Sequence, residues 1–198
     1  MLPRPAPASR AKPTTSQQYE GGVKFQPARN VLLTVAVYDL TQQNVLTQDP
    51  SHSDYKVQIG EVNSRGFEAE VIAEFLPGLN VIASYTQQVV RVTQNNDGYT
   101  GKAPVLVPGT TASAYADYTL QSGALANFGF GAGIRHNGKT FSDQANTIVN
   151  PDYATFDAGL HYKMDNGVTL ALNVKNIGDT VRTACTDRAA ANTRLHAW

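Results

Sequence analysis

Apolar and polar residues alternate with a period of two along most of this chain, and helical periodicity is rare. In the segment 19–26, Tyr19, Val23 and Phe25 fall on one face, while Glu20 and Lys24 fall on the other. The same pattern predicts strands at 19–26, 31–40, 67–75, 79–86, 112–120, 127–135, 153–164 and 168–175, with a ninth at the C-terminus. We therefore expect an all-β protein. The register of 31–40 stays open, because that segment is apolar on both faces.

The connections between these strands alternate in length. Short links lie around Pro27 and at 76–78, 121–126 and 164–167, and long polar links lie at 47–54, 94–107, 137–150 and about 181–192. Tight turns at one end and long loops at the other are typical of a transmembrane β-barrel, with the turns in the periplasm. The strands have about the 9 to 11 residues that a tilted crossing requires. Aromatic residues near strand ends fit the interfacial girdles: Tyr19, Phe25, Tyr85, Tyr118, Phe128 and Tyr162.

Composition narrows the class of protein. Charged residues make up 16% of the chain, against roughly 25% in ordinary soluble domains. Lys+Arg and Asp+Glu number 16 each, and no run of five like charges occurs, so nucleic acid is not an expected partner. A soluble β-sandwich or lipocalin-like barrel also alternates, and periodicity does not say which face is inside. The soluble alternative therefore stays open at this point.

The strand count makes a further prediction. Bacterial single-chain barrels have even strand numbers, so nine strands with an extracellular N-terminus predict a part of a larger barrel. The first residues also lack the apolar core of a secretory signal. An open sheet of nine strands leaves two unpaired edges, which lipid does not tolerate. We expect such a segment to be inactive in isolation.

Five segments and the C-terminal residue resemble one known family. They are 12–27 (KPTTSQQYEGGVKFQP), 38–50 (YDLTQQNVLTQDP), 60–71 (GEVNSRGFEAEV), 107–120 (VPGTTASAYADYTL), 171–180 (ALNVKNIGDT) and the terminal Trp198. In this order they resemble the C-terminal part of a TonB-dependent siderophore receptor of bacterial outer membranes. Two departures stand beside the likeness: the stretch 181–198 is short for the last loop and strand, and it contains one cysteine, Cys185, where relatives often have a pair.

The resemblance implies a barrel of roughly 22 strands with a plugged lumen, embedded in outer-membrane lipid. It also implies that the complete receptor binds a ferric siderophore through its loops and plug and takes it up with energy from TonB. In that family the plug and the TonB-contacting box precede the barrel, and we expect neither here. The domain prediction is an irregular segment at 1–16 and a partial receptor barrel at 17–198. A small self-standing or oligomeric outer-membrane barrel with a structural or adhesive role is the alternative.

Ligand contacts are expected from the long loops, where aromatic and cationic side chains suit an anionic or catecholate-rich ferric complex. The candidates are Tyr99, Lys102, Arg135, Lys139 and Phe141. No enzyme, cofactor or metal site is predicted. The glycines of 129–133 lack the spacing and the helix of a phosphate loop, and the four histidines lack ligand spacing. Glu68, Glu70 and Glu74 are interpreted as a solvated lumen wall.

Overall fold

The computed structural model describes residues 12–49 and 56–180, which form an antiparallel sheet. Eight strands follow one another in the order β1-β2-β3-β4-β5-β6-β9-β10, and β7 and β8 form a separate hairpin. The strands are β1 (Thr15–Ala28), β2 (Val31–Gln48), β3 (Lys56–Leu76), β4 (Leu79–Gln94), β5 (Thr110–Thr119), β6 (Phe128–Asn137), β7 (Thr140–Phe141), β8 (Val149–Asn150), β9 (Tyr153–Lys163) and β10 (Thr169–Val174). Within these residues, no helix is long and apolar enough to cross a membrane.

The eight strands predicted before the C-terminus are confirmed. The predicted ninth strand, the last loop and Cys185 lie outside the described residues. Two features differ from the prediction. The segment 137–150 contains the β7–β8 hairpin, whose two-residue strands are too short to show periodicity. In addition, β1 to β4 have 14, 18, 21 and 16 residues, well beyond the predicted 9 to 11.

The strand register places the apolar residues of all eight strands on one face. Directly paired residues share a face of a sheet, and the pairing runs from Val23 through Val35, Ala69 and Tyr85 to Ala112. Further along the sheet, the same face carries the pairs Ala116–Ala132, Ala132–Ala158 and Ala158–Val174. This register also resolves the ambiguity of β2, whose Leu33, Val35 and Val37 belong to the apolar face.

The apolar face has no covering layer among the described residues. Val23 is 68% exposed, Leu172 62% and Phe25 58%, while Ala73 is the single buried hydrophobic residue in 12–49 and 56–180. A β-sandwich would bury these side chains between two sheets packed about 10 Å apart. The arrangement therefore opposes the soluble alternative and fits a sheet whose apolar face contacts lipid.

Charged residues define the height of the apolar band. On the apolar face of β2 to β4 they are Asp39, Glu61, Arg65 and Arg91, all beyond the paired row that contains Phe67, on the side of the long loops. Between Phe67 and Phe75, the apolar face of β3 carries no charge. This length matches the roughly 9 to 11 residues of a tilted crossing, so the extra residues of β1 to β4 extend beyond the band.

The opposite face is polar, and in β6 and β9 it is rich in glycine. The ring of Tyr115 lies over these glycines: a Cβ built at Gly133 would approach Tyr115 Cδ2 to 2.6 Å, and one at Gly159 would approach Tyr115 Oη to 2.9 Å. Covering strand glycines with an aromatic ring restores packing that glycine lacks. The glycines of 129–133 are therefore wall positions, in agreement with the rejection of a phosphate loop.

Candidate functional site

The long loops gather at one end of the sheet and the short turns at the other, as predicted. The turns at 29–30, 77–78, 120–127 and 164–168 share one end. The connections 95–109 and 138–152 lie at the opposite end, together with the β2–β3 connection, of which 50–55 is outside the described residues. We call 95–109 and 138–152 the loop pair. In a barrel of this topology the loop pair faces the extracellular side.

A difference in strand length creates a free strand edge beneath the loop pair. Thr110, the first residue of β5, pairs with Gln87 of β4, whereas β4 continues to Gln94. The edge of β4 beyond Gln87 therefore has no partner from β5. Unpaired backbone groups along such an edge must be satisfied by another segment or by solvent.

The loop 95–109 takes part of this edge. The N–H of Gln88 donates to the carbonyl of Gly109 at 2.8 Å, and the N–H of Val92 donates to the carbonyl of Lys102 at 2.9 Å. The N–H of Gly101 donates in turn to the carbonyl of Val92 at 2.7 Å. The loop is thus attached to β4 at two points, with an interval between them.

The two members of the loop pair are joined to each other. The side-chain Oδ1 of Asn146 accepts from the N–H of Ala103 at 2.8 Å, and its Nδ2 donates to the carbonyl of Ala103 at 2.9 Å. The N–H of Leu106 also donates to the carbonyl of Phe141 at 2.9 Å. Asn146 has a φ of 59°, in the left-handed region that asparagine tolerates better than most residues. These bonds hold the two loops in one arrangement.

A carboxylate shapes the tip of the second loop. Asp143 accepts from the N–H of Ile148 at 2.7 Å, and from the N–H and hydroxyl of Thr147 at 3.1 and 2.8 Å. The hydrogen bond from the N–H of Ile148, supported by those from Thr147, holds the pKa of Asp143 below its ordinary value against a smaller opposing effect of desolvation. The ionised side chain therefore stabilises the turn that carries Asn146.

A groove of about 360 Å³ lies between the free edge of β4 and the loop pair. We call it the basic groove, because the charged residues that line it are Arg91 and Lys139. It is lined by residues 88–91, 101, 103, 107–110, 138, 139, 141 and 146. Phe141 provides an aromatic wall, and Asn146 contributes to the lining while joining the loops.

A second groove of about 260 Å³ shares only Ala103 with the first. We call it the acidic groove, because its charged lining residues are Glu61 and Asp97. It is lined by residues 45–47, 60–62, 92, 94, 95, 97, 99, 103–105 and 144. Both carboxylate oxygens of Glu61 accept hydrogen bonds, from Gln43 at 3.1 Å and from Thr93 at 2.8 Å. The charge of Glu61 is therefore already engaged within the sheet.

The loop residues predicted from the sequence as ligand contacts do not all lie in the same groove. Lys139 and Phe141 line the basic groove, and Tyr99 lines the acidic groove. Lys102 lines neither groove and is exposed. The structure thus brings Lys139 and Phe141 together and separates them from Tyr99.

Arg135 lies apart from both grooves, on the polar face of β6. Its Nη2 donates to Asp157 Oδ2 at 2.7 Å, and Asp157 Oδ1 accepts from the N–H of Asn176 at 3.0 Å. Sequence reasoning missed Arg91 and Asn146. Arg91 interrupts the apolar alternation of β4, which was a usable signal, whereas the contact of Asn146 with residue 103 has no local signature.

The polar face carries one histidine–carboxylate contact. His161 Nδ1 lies 3.5 Å from Asp117 Oδ2, and His161 Nε2 lies 3.2 Å from the hydroxyl of Thr119. Across the described part of the chain, no group of three or more His, Cys, Asp or Glu residues is placed to hold a metal ion. This contact between His161 and Asp117 therefore belongs to the polar face of the sheet.

Comparison with known proteins identifies the protein family to which this sheet belongs. Residues 4–177 match the family described as TonB dependent receptor-like, beta-barrel. The apolar outer face, polar inner face and one-sided loops of the sheet are those of such a barrel. The chain belongs to this family, and its transmembrane all-β fold is that of the receptor barrel.

Individual relatives agree with this assignment. The ferrioxamine receptor of Yersinia enterocolitica is 39% identical over 175 residues, covering 85% of this chain and 24% of the relative. The ferrichrome outer membrane transporter/phage receptor of Escherichia coli K12 is 37% identical over 172 residues, covering 84% of this chain and 23% of the relative. The chain therefore spans about a quarter of the length of these relatives. Family members of this kind are receptors and transporters.

Solved structures share the architecture. The siderophore receptor PiuA from Acinetobacter baumannii superposes with a TM-score of 0.70 at 28% identity, over 84% of this chain and 25% of that one. The ferric preacinetobactin receptor BauA from the same organism superposes with a TM-score of 0.74 at 21% identity, over 92% and 28%. The second likeness concerns the fold alone.

Proposed function

We propose that this chain forms part of the barrel wall of an outer-membrane receptor that imports ferric siderophores. The loop pair, in this proposal, contributes to the extracellular surface that contacts the ferric complex. The observation that supports this proposal is that Asn146 joins two long loops into one unit, beside a groove lined by Lys139 and Phe141. A groove held by hydrogen bonds needs less ordering when a ligand binds, which favours affinity.

The partners and location belong to the same proposal. The apolar face, with Val23 and Leu172 more than half exposed, is suited to contact with outer-membrane lipid. The polar face would line the lumen and meet the plug of the complete receptor, and uptake would depend on TonB. Receptors of similar sequence are named for ferrichrome and ferrioxamine, which supports a siderophore as the ligand class. The division into 1–16 and 17–198 remains a prediction.

The test replaces the corresponding segment of the E. coli ferrichrome transporter with residues 15–180 of this chain. We call the product the hybrid receptor. It is produced in cells that lack their own siderophore receptors, and uptake of radioactive iron is measured with a panel of ferric siderophores. The transporter with the same segment deleted and the intact transporter provide the lower and upper references.

We expect the hybrid receptor to reach the outer membrane, to resist heat denaturation in detergent as folded barrels do, and to restore TonB-dependent uptake of at least one ferric siderophore. Failure to assemble would contradict the assignment of the segment as receptor wall. Assembly without binding or uptake of any ferric siderophore would favour the alternative of a structural or adhesive barrel.

A further inference from the structure

The outer face of the sheet carries two arginines just beyond the apolar band, on the side of the long loops. Arg65 is the first residue of β3 on that face beyond Phe67, and it pairs with Val89 of β4. Arg91 pairs with Asn63, the next residue of β3 on the same face. The two arginines are therefore diagonal neighbours across β3 and β4, about 7 to 8 Å apart at Cα. We call them the outer arginine pair.

Neither member of the outer arginine pair is neutralised by another described residue. Within 12–49 and 56–180, the side chain of Arg65 forms no hydrogen bond or ion pair. The guanidinium of Arg91 donates to the carbonyl of Val90 at 3.3 Å and has no ion pair in the same ranges. Both arginines are exposed, and a guanidinium keeps its charge at physiological pH. This surface therefore presents two positive charges to its surroundings.

The carboxylates of the same face are already bonded to neutral groups. Asp39 lies opposite Arg65 in the register, but its Oδ1 accepts from Asn63 Nδ2 at 2.6 Å. Both carboxylate oxygens of Glu61, farther from the band, also accept from neutral side chains. Between the two arginines lie Val89 and Asn63, which are uncharged. The positive charge of the pair is therefore not offset where β3 meets β4.

Two aromatic rings mark the edge of the apolar band beside the outer arginine pair. The ring centroids of Phe67 and Tyr85 are 5.6 Å apart, and the hydroxyl of Tyr85 donates to Gln87 Oε1 at 3.1 Å, toward the loop end of β4. Rings that face hydrocarbon with a hydroxyl in the polar layer are typical of a membrane interface. The head-group layer is about 5 to 8 Å thick, and two strand residues span about 7 Å. Arg65 therefore lies at the level of lipid head groups, and the long side chain of Arg91 can extend toward them.

We propose that the outer arginine pair binds a phosphate group of a lipid in the outer leaflet, with Arg65 and Arg91 donating to its oxygens from two strands. Guanidinium groups match phosphate in charge and in the geometry of their donors. Continuity with the apolar band favours a lipid, because acyl chains that lie against the band carry their head group to this level. The inference goes beyond the proposed function, since it requires a barrel wall but no ferric complex.

The experiment measures which lipid lies beside Val89 in the hybrid receptor. A photoreactive benzophenone side chain replaces Val89, and the receptor is reconstituted in phosphatidylcholine vesicles with a trace of tritiated lipid A, which carries two phosphates. A parallel sample contains the same lipid A after removal of both phosphates. The ratio of the amounts captured on illumination, first lipid over second, is called the phosphate preference. A second probe position, Leu172, is exposed on the outer face within the band and serves as the reference.

We expect a phosphate preference of about 25 in the parent, about 5 in Arg65→Gln or Arg91→Gln, and about 1 in the double variant, because each cation near an anionic lipid contributes about fivefold. Replacing both arginines by lysine keeps the charges and should retain most of the preference. Lys102→Gln is the matched control, since it removes a charge from an exposed loop residue at the same end, and its effect should stay within about twofold. The probe at Leu172 should show a ratio of about 1 throughout. Resistance to heat denaturation in detergent shows that each variant is folded.

Several outcomes overturn the inference. A preference near 1 in the parent would reject the lipid phosphate site and leave the proposed function standing, because siderophore binding does not enter the measurement. A preference that survives the double change to glutamine would place the phosphate elsewhere. An equal loss in Lys102→Gln would show a general effect of charge at this end of the sheet. Loss of the preference on addition of excess inorganic phosphate would indicate a site for free anions rather than for a lipid.

Discussion

The strands β1 to β4 and the strands β5, β6 and β9 cross the same apolar band but end at different heights. The first group has 14 to 21 residues per strand, and the second has 10, 10 and 11. In the first group the residues above the band continue the sheet. In the second group the chain leaves the sheet and forms the loop pair. The strand-length step between β4 and β5 is therefore where a cavity can form.

This step explains why the basic groove lies beside β4. An exposed strand edge is a row of backbone donors and acceptors, which natural proteins cover or shorten. Here the loop 95–109 covers the edge at Gln88 and Val92 and leaves Val90 open between them. If β4 and β5 were both long, they would pair along their whole length without a gap. If both were short, β4 would have no free edge beyond β5. The combination produces a groove with a backbone donor at its floor.

The largest difference between the two groups of strands is expected when an arginine is placed on the outer face of each group. Ala132→Arg, in the middle of the band on β6, is expected to destabilise the hybrid receptor by about 2 to 4 kcal/mol. Val89→Arg, on the same face of β4 but above the band, should cost about 0.5 kcal/mol or less. The free energy of unfolding is measured by urea titration in lipid vesicles. Equal costs at the two positions would show that the band does not end at the row of Phe67.

A smaller effect is expected when the loop pair is unlocked. Asn146→Gly keeps the left-handed backbone but removes both hydrogen bonds to Ala103, and we expect a local loss of about 1 to 2 kcal/mol. Hydrogen exchange of the Ala103 N–H should accelerate, while exchange in β2 should not change. The matched control is Asn166→Gly, at the opposite end of the sheet, which should leave exchange at Ala103 unaltered. Unchanged protection of Ala103 would mean that the loops hold together without this residue.

The smallest effect is a pH dependence of the second loop. Because the N–H of Ile148 and its neighbours lower the pKa of Asp143 in the folded loop, the turn is stabilised at pH values above the ordinary aspartate pKa. This stabilisation is lost as the pH falls below about 4, through the lowered pKa of the folded state. Cleavage of 143–148 by an acid-stable protease should therefore become faster as the pH falls through this range. The substitution Asp143→Asn should remove this pH dependence. Asp165→Asn, in a turn at the opposite end, should not. A pH-independent parent would contradict the role of the carboxylate.

The eight strands of the main sheet and its two faces were predictable from the sequence, because a period of two assigns each side chain to a face. The full length of the strands was not. Above the band both faces of β2 are polar, as at Thr41, Gln42 and Gln43, so the alternation that marks a strand disappears while the pairing continues. The sequence therefore reported the membrane-crossing part of each long strand rather than the strand itself.

The site was predictable only in part. Lys139 and Phe141 were found because cationic and aromatic residues in a long loop are suited to ligand contact. Arg91 was missed because it belongs to a strand, where a charged residue that interrupts the apolar pattern is interpreted as the end of the strand. Asn146 was missed because its partner is 43 residues away, and local sequence carries no record of such a contact.

The all-β class, the two faces of the sheet and the alternation of turns and loops follow from the amino-acid sequence, since these depend on residues that are neighbours along the chain. The register of β2, the step between β4 and β5, and the joining of 95–109 to 138–152 are visible only in the folded chain. Each of these joins distant segments of the chain, through backbone hydrogen bonds and, between the two loops, through the side chain of Asn146 as well. For that reason the two charged lining residues of the basic groove, Arg91 and Lys139, meet only after folding.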